Sequence, residues 1–213
     1  MLNVNNKSIL PWIEKYRPDN FDNIISHNNI ISILKKYKEN TSLPHLLFYG
    51  PPGTGKTSVI LTYAKELFGK YTPYMVMELN ASDERGIEVV RSRIKQFVAS
   101  DNTLYSYRIN GEKKNKNIFK LVILDETDAM TDDAQKILRS IVEKYTNNAR
   151  FCLICNYIKK INPALQSRCS AFRFSPINNK DMKKKIIQIL NLEKVKYDSK
   201  GIDLVINNSN GDM

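Results

Sequence analysis

A run of eight residues constrains the fold of this chain more than any other part of it. The run follows a short apolar segment, residues 46–49, and leads into a helical stretch, residues 57–67. Its members are Gly50, Pro51, Pro52, Gly53, Thr54, Gly55, Lys56 and Thr57. Glycines let backbone N–H groups face inward, and the helix that follows adds positive potential at its N-terminus. The run therefore predicts a phosphate-binding loop; a glycine-rich turn without a ligand is disfavoured because both flanks have the required pattern.

Two side chains of this loop have distinct predicted roles. Lys56 would reach the β- and γ-phosphates of a nucleotide, and Thr57 would place its hydroxyl on a Mg²⁺ ion. The loop thus predicts a bound nucleoside triphosphate, but it does not identify the process that the nucleotide drives.

A second apolar segment ends in acidic residues. A site that hydrolyses a nucleoside triphosphate needs such acids beside its phosphate loop. Residues 119–124 predict a buried apolar strand, and Asp125, Glu126 and Asp128 follow it closely. Asp125 at the strand tip would hold Mg²⁺ through water, and Glu126 would orient and activate the attacking water. Alternatively, these acids favour the N-terminus of the next helix, which suits Asp128 better than Asp125.

Two further polar residues are candidates, and an alternative stays open for each. Asn156 directly follows a predicted strand, residues 151–155. Its amide could bond the γ-phosphate or the attacking water, or it could be a turn residue. Arg168 could stabilise transition-state charge as an arginine finger, or it could be an ordinary surface residue.

Apolar strands alternate with amphipathic helices through most of the chain. Besides the strands already given, residues 75–79 and 171–174 have strand patterns, and residues 29–39, 86–98 and 132–144 have helical ones. Such alternation predicts an α/β fold with a five-stranded parallel sheet flanked by helices.

The segments outside this pattern divide the chain further. We expect a nucleotide-binding α/β domain over residues 1–176. It would begin with an extended, docked arm over residues 1–20, because Pro11 and Pro18 bracket the arm's apolar part. It would also carry a polar insertion loop over residues 101–117. Two helical segments, residues 181–195 and 199–207, have no strand between them, so residues 177–213 predict the start of a small helical domain.

The composition of the chain indicates which kind of partner it could bind and whether it could associate with a membrane. The 213 residues carry 33 Lys and Arg against 22 Asp and Glu, a net charge of +11. This excess of positive charge favours nucleic acid as a partner, although the abundance of Asn and Lys could also be compositional bias.

The sequence has neither an apolar run long enough for a membrane span nor the apolar core of a secretory signal, so we expect no membrane association.

The three cysteines do not form a recognisable disulfide or zinc pattern. Cys152 and Cys155 lie within one apolar strand, where their side chains would point to opposite faces, and no second Cys/His pair accompanies them. We interpret them as buried structural residues in a reducing compartment. His27 and His45 are isolated, and we assign neither a metal nor a base role.

These motifs, in this order, resemble the small subunits of eukaryotic replication factor C, the clamp loader, within the AAA+ ATPases. The matching segments cover nearly the whole chain and are residues 11–18, 45–58, 79–87, 124–131 and 151–169. Residues 25–27 and 151–157 look most like the subunit numbered 5 in human and 3 in budding yeast.

The resemblance implies roles for individual residues. It places Asn156 at the sensor 1 position and makes Arg168 an arginine finger, which acts in trans on ATP bound to a neighbouring subunit. Tyr16, Arg17 and Pro18 would line the adenine end of the pocket.

The same resemblance implies further contacts with the nucleotide and with DNA. Ser58 belongs to the matching loop string and would contact the nucleotide. The helix after Arg85 would face DNA, so Arg85, Arg91 and Lys95 are candidates for sequence-independent phosphate contacts.

The function implied is that of an ATPase subunit in a nuclear heteropentamer, with ATP and Mg²⁺ as cofactors. The complex would load the sliding clamp, proliferating cell nuclear antigen, onto primer–template DNA in replication and repair. Two alternatives are a DNA-junction helicase motor and an ATP-binding scaffold that donates an arginine finger. The arm and the Ser-Arg-Cys sequence at residues 167–169 argue against a helicase motor. The presence of Glu126 argues against a scaffold that binds ATP without hydrolysing it.

The chain departs from the family pattern at three places. Thr127 stands where most relatives have alanine, and residues 101–117 are longer than the family needs. Residues 211–213 match a family string that continues with the sensor 2 arginine. We therefore expect the rest of the lid and the C-terminal collar to be absent and the 213-residue chain alone to be monomeric.

Overall fold

A five-stranded parallel sheet organises the molecule. The computed structural model describes residues 10–40, 42–82, 87–100 and 119–212. The strands are β1 (His45–Tyr49), β2 (Val76–Asn80), β3 (Lys120–Asp125), β4 (Ala149–Cys155) and β5 (Cys169–Arg173), in the order β2-β3-β4-β1-β5. Every neighbouring pair is parallel. The predicted α/β fold with a five-stranded parallel sheet is confirmed, whereas Arg85 and the predicted insertion at 101–117 lie outside the described residues.

Helices connect the strands and cover the sheet. The longer ones are α2 (Asn28–Glu39), α3 (Lys56–Phe68), α5 (Ile87–Ala99) and α6 (Asp132–Tyr145), and the short ones are α1 (Trp12–Lys15), α4 (Thr72–Met75) and α7 (Pro163–Gln166). Two more follow the last strand, α8 (Asn179–Leu192) and α9 (Ser199–Ser209). Single 3₁₀ turns occupy Phe21–Asn23, Gly69–Tyr71, Thr127–Ala129 and Ile158–Lys160.

The strands bury apolar side chains on both faces because successive residues of a strand point in opposite directions. Leu46 and Phe48 of β1 belong to one apolar cluster, which includes Leu34 of α2 and Tyr63 of α3. Leu47 belongs to a second cluster, built with residues of α5 and α6. The sheet therefore forms the middle layer between two helical layers, and its carboxyl edge stays open for polar groups.

The arm is helical where the sequence predicted an extended segment. Trp12–Lys15 forms one helical turn directly after Pro11, and Glu14 lies in that turn. Proline is compatible with the start of a helix, where its missing N–H costs nothing, and Pro18 restricts only the residue before it. The arm is docked, since Pro18 O accepts a hydrogen bond from Thr62 Oγ1 (2.9 Å).

The last two helices share a small apolar cluster of their own. Ile177, Met182, Ile202 and Ile206 are buried in it, and Ile25 packs against it from the segment before α2. Among the described residues, no helix is both long enough and apolar enough to cross a membrane.

Lys120 corrects the expectation of a wholly apolar third strand. It is the first residue of β3 and is only 3% exposed. Its ammonium donates to the carbonyl oxygens of Phe97 (2.6 Å) and Ser100 (2.7 Å). A cation at the C-terminus of a helix satisfies carbonyl groups that have no partner within the helix, and here it joins α5 to the sheet.

His45 is a buried neutral imidazole at the start of β1. Its Nδ1 accepts a hydrogen bond from Phe151 N–H (3.2 Å), so the proton lies on Nε2, which faces Thr146 Oγ1 (3.2 Å). Burial lowers the pKa of His45 from 6.5 to about 4. The ring therefore has a structural role, since it joins the start of β1 to β4 and to the end of α6.

This buried imidazole predicts a pH-dependent contribution to stability. His45 stabilises the fold fully above pH 6.5, and this contribution is lost as the pH falls from 6.5 towards 4, because only the unfolded chain binds the proton readily. Between pH 7 and pH 5 the wild type should lose about 2 kcal/mol more unfolding free energy than His45→Asn. Urea denaturation at both pH values measures this difference, and equal losses in the two proteins would contradict it.

Candidate nucleotide-binding site

The glycine-rich loop lies between β1 and α3, at the carboxyl edge of the sheet. Gly53 and Gly55 have φ angles of 64° and 87°, and Gly55 caps the N-terminus of α3. A Cβ on Gly50 would lie 2.1 Å from the carbonyl oxygen of Phe174, and a Cβ on Gly53 would lie 1.5 Å from Asp212 Oδ1. Gly50 and Gly53 therefore require glycine for reasons of both backbone conformation and space, whereas Gly55 requires it for backbone conformation alone.

Lys56 holds the loop to the neighbouring strand. Its side chain is 7% exposed, and its Nζ donates to Gly50 O (2.8 Å), Pro51 O (2.7 Å) and Asn156 Oδ1 (2.9 Å). Three donors satisfy three acceptors, as an ammonium group requires. Burial lowers the pKa of Lys56, and the charge of Asp125 opposes that shift. The cation therefore lies within the loop, where phosphate oxygens would meet it.

Thr57 and Asp125 provide adjacent oxygen atoms suited to Mg²⁺. The Thr57 hydroxyl donates to Asp125 Oδ2 (2.7 Å), which joins the first turn of α3 to the tip of β3. Hydroxyl and carboxylate oxygens are ligands that Mg²⁺ prefers, usually together with water and substrate phosphates. No group of three His, Cys, Asp or Glu among the described residues could hold a metal without such additional ligands. The donor set thus fits a phosphate-bound Mg²⁺.

Glu126 projects from the end of β3 beside this pair. Its backbone has a φ of 53°, and its N–H donates to Asp125 Oδ1 (2.8 Å). The residue is exposed, unlike the half-buried Asp125. Both carboxylate oxygens of Asp125 are therefore fixed, Oδ1 by the turn and Oδ2 by Thr57, while the Glu126 side chain faces solvent at the edge that carries the loop.

Asp128 fixes the backbone around Asn156, a contact that sequence reasoning missed. Its Oδ2 accepts hydrogen bonds from the N–H groups of Asn156 (3.2 Å) and Tyr157 (3.0 Å). The expectation that Asp128 serves the next helix N-terminus accounts only for its position in the turn Thr127–Ala129. Its carboxylate instead joins the end of β3 to the end of β4 and so orients the amide that accepts from Lys56.

Arg168 lies at the opposite edge of the sheet. It directly precedes β5, whose first residue, Cys169, pairs with His45 at the amino end of β1. The phosphate loop follows Tyr49 at the carboxyl end of β1, four residues or about 13 Å farther along the strand. The Arg168 guanidinium forms an ion pair with Glu143 of α6. It is therefore directed away from the phosphate loop of its own chain.

The arm, the loop and the last two helices enclose a cavity of ≈430 Å³. Tyr16, Arg17 and Pro18 line it on one side, and Met182 and Ile186 line it on the side of α8. The loop residues that reach the same cavity are Gly53, Thr54, Gly55 and Ser58. The structure thus brings the predicted adenine-side residues together with the predicted phosphate-side residues, and the size suits a small-molecule ligand.

Two residues outside the predicted set support the loop. His27 Nε2 lies 3.0 Å from Thr54 O, and its ring packs edge-on against Phe174 at 4.7 Å. Asp212, which follows α9, lines the cavity beside Gly53, and its charge favours protonation of Lys56. Neither contact has a local sequence signal, because each joins segments far apart in the chain.

Arg91 and Lys95 lie together in a separate groove between α5 and α6. The groove has a volume of ≈210 Å³, and Ser140, Lys144 and Tyr145 of α6 also line it. Among the described residues, Arg91, Lys95 and Lys144 form no ion pair with an acidic group, so this groove carries uncompensated positive charge.

The Asp128 contact predicts local protection of two amides. Asp128→Ala should increase the hydrogen-exchange rates of the Asn156 and Tyr157 amides about 10-fold or more, because hydrogen bonds to a carboxylate contribute roughly 1.5–3 kcal/mol. Asp133→Ala is the matched control, since Asp133 is an exposed acid of α6 bonded to Lys136. Amide exchange followed by NMR measures both. Unchanged rates in Asp128→Ala would contradict the assignment.

Comparisons with known proteins agree with this geometry. The profile of the ATPase family associated with various cellular activities (AAA) matches residues 46–177. The chain is 51% identical to human replication factor C subunit 5 and 48% identical to subunit 3 of Saccharomyces cerevisiae, over 96% and 97% of its length. It is 54% identical, over 97% of its length, to a protein of Acanthamoeba polyphaga mimivirus that is named as a replication factor C small subunit. It spans 57–59% of the length of these three relatives.

Solved structures agree on the fold. RuvB of Thermotoga maritima, in two variants, superimposes with TM-scores of 0.68 and 0.69 at 18% and 17% identity. Each match covers 92% of this chain and 61% of the RuvB chain. These structures show the fold, whereas the AAA profile and the three relatives confirm the family resemblance: the chain belongs to the AAA family of ATPases and, within it, is related to the replication factor C small subunits.

Proposed function

We propose that this chain is an ATPase subunit of a replication factor C clamp loader, acting in the nucleus in DNA replication and repair. The complex would use ATP binding and hydrolysis to load the sliding clamp, proliferating cell nuclear antigen, onto primer–template DNA. The observation that carries this proposal is the position of Arg168, at the sheet edge opposite the phosphate loop. An ATPase subunit of this kind shares each site with a neighbour, so its two functional edges must face different subunits.

The residues around the loop would bind and orient ATP. The Lys56 ammonium would exchange its bonds to Gly50 O and Pro51 O for bonds to β- and γ-phosphate oxygens. Thr57 and Asp125 would hold Mg²⁺, which neutralises charge on those phosphates. Asn156, already bonded to Lys56, would contact the γ-phosphate.

Hydrolysis would depend on a water oriented by Glu126. The exposed carboxylate of Glu126 lies beside the fixed Asp125 and can accept a hydrogen bond from water at the sheet edge. Phosphoryl transfer needs chiefly geometry and charge stabilisation, so a guanidinium from outside the chain would complete the site. The neighbouring subunit would supply that group from the position equivalent to Arg168.

The adenine end of ATP would occupy the cavity beside the arm. Tyr16, Arg17 and Pro18 would contact the base, and Ser58 would contact the nucleotide from α3. We assign residues 1–176 to the nucleotide-binding domain and residues 177–213 to the first part of a helical lid. Because the lid helices line this cavity, bound ATP would set the position of the lid and of the neighbouring subunit.

Primer–template DNA would lie against α5. Arg91 and Lys95, with Lys144 across the groove, present positive charge that matches phosphate groups. Arg85, outside the described residues, is a further candidate on the segment before α5. Contacts of this type bind the DNA backbone irrespective of sequence, which a protein that loads clamps at any primer requires.

A substitution of Glu126 tests hydrolysis in the assembled complex. Glu126→Gln should reduce the ATPase rate of this subunit about 100-fold or more while nucleotide still binds, because it removes the group that activates water. Lys56→Ala should abolish binding at this site. The wild-type ATPase should rise only when clamp and primed DNA are both present.

The outcomes of this experiment separate the alternatives. ATP-dependent unwinding of DNA without a clamp would contradict clamp loading and identify a helicase motor. An unchanged rate in Glu126→Gln would identify a non-hydrolysing scaffold.

A substitution of Arg168 tests catalysis in trans. Arg168→Ala should leave the nucleotide affinity of its own chain unchanged and reduce hydrolysis at the neighbour's site about 10³-fold, as for other arginine fingers. Arg139→Ala is the matched control, since Arg139 also bonds Glu143 (3.2 Å) from α6. If Arg168→Ala instead weakened ATP binding in its own chain, the proposal of a shared site would be wrong.

A further inference from the structure

Glu193 joins the arm to the last two helices. It caps the C-terminus of α8, and its Oε1 accepts hydrogen bonds from Lys15 Nζ (2.5 Å) and the Tyr16 hydroxyl (2.7 Å). The partners are 178 and 177 residues away in the chain. The Lys15 ammonium also lies 5.5 Å from the centre of the Tyr16 ring. One carboxylate oxygen thus organises two adjacent side chains of the arm.

The protonation states required for this contact are mutually consistent. Hydrogen bonding to Glu193 raises the pKa values of Lys15 and Tyr16, and the same bonds lower the pKa of Glu193. Around neutral pH the lysine is therefore charged, the tyrosine keeps its proton and the glutamate is ionised. The side chains of Lys15 and Glu193 are 25% and 20% exposed, so the contact is shielded but not buried.

The arm is also fixed to the α/β body by other contacts. Pro18 O accepts from Thr62 of α3, and Asp19 forms an ion pair with Lys65 of α3 (2.8 Å). These bonds hold the arm beside the phosphate loop but do not reach α8. The Glu193 contact joins the arm to the opposite wall of the ≈430 Å³ cavity, which Met182 and Ile186 line.

We propose that Glu193 is a positioning residue for the nucleotide site: by binding Tyr16 and Lys15, it fixes the adenine-side wall of the cavity to α8 before ATP enters. The inference rests on the proposed ATP binding. Glu193 does not line the cavity, whereas Tyr16 does. Glu193 would therefore affect nucleotide binding through the Tyr16 ring, because it accepts a hydrogen bond from the Tyr16 hydroxyl.

The expected consequence is a loss of affinity through loss of preorganisation. A Tyr16 ring that is free to rotate must be ordered when the nucleotide binds, and ordering one such side chain reduces affinity about 3- to 10-fold. The same bond would couple ATP to lid position, because a base packed against Tyr16 stabilises the arm and, through Glu193, the end of α8.

A double-mutant cycle on the 213-residue chain tests the proposal. The probe is ATP with a fluorescent group on the ribose, titrated in the presence of Mg²⁺ into wild type, Glu193→Ala, Tyr16→Phe and the double variant. Tyr16→Phe keeps the ring and removes the hydroxyl. Each single variant should bind about 3- to 10-fold more weakly, and the double variant should bind no more weakly than Glu193→Ala. Glu193→Gln, which keeps an acceptor oxygen, should restore most of the affinity.

Asp203→Asn is the matched control for this cycle. Asp203 of α9 also accepts from a lysine, Lys183 of α8 (2.6 Å), but it contacts neither the arm nor the cavity. Its substitution should leave the affinity within about 2-fold of the wild type, the scale of an exposed ion pair.

Two results would overturn the proposal. One is an unchanged affinity in Glu193→Ala, even with a lowered melting temperature, since that pattern means a purely structural contact. The other is additive losses in the double variant. Equal affinity of the wild type and Lys56→Ala would instead show that the loop does not bind ATP, and so would contradict the proposed function itself.

Discussion

The Lys56 ammonium is the contact on which the rest of the site depends. It joins the loop after β1, the first turn of α3 and the amide at the end of β4 through three hydrogen bonds. Burial makes those bonds necessary, because an unpaired ammonium at 7% exposure would be costly. The other polar contacts at this edge extend from this centre: Thr57 reaches Asp125, and Asp128 holds Asn156. The site is therefore one connected network with several strand ends as its frame.

The parallel direction of the strands determines which functional residues lie together and which lie apart. Because all five strands are parallel, the loop, Asp125 and Asn156 lie at their carboxyl ends, while Arg168 lies at the amino end of β5. A single chain cannot bring Arg168 to its own loop without breaking the pairing of β1 with β5. A shared site between neighbours, as proposed, resolves this separation and makes hydrolysis sensitive to correct assembly.

Much of this architecture could be predicted from the sequence because its signals are local. The apolar run before Gly50 and the helical pattern after Lys56 identify a strand, a loop and a helix without tertiary information. The Asp128 contact could not be predicted in the same way, since it depends on how β3 and β4 align across 28 residues of sequence. The buried Lys120 was missed because its carbonyl partners at the end of α5 are assembled only by the fold.

The arm illustrates the same limit. Two prolines suggested an extended segment, but Trp12–Lys15 forms a helical turn and its neighbour Tyr16 meets Glu193 from the far end of the chain. Such long-range contacts have no periodicity in the sequence, and only the packing of α8 beside the arm reveals them.

The most direct test of the central claim is the ATP turnover of this subunit alone and in its complex. In the complex, the water-activating glutamates of the partner subunits would be replaced by glutamine, so that the partners still bind ATP and only the site containing Lys56 can hydrolyse it. We expect negligible turnover by the isolated chain and substantial turnover after the partners are added with clamp and primed DNA. Rapid hydrolysis by the isolated monomer, or none in the complex, would contradict a site completed by a neighbour.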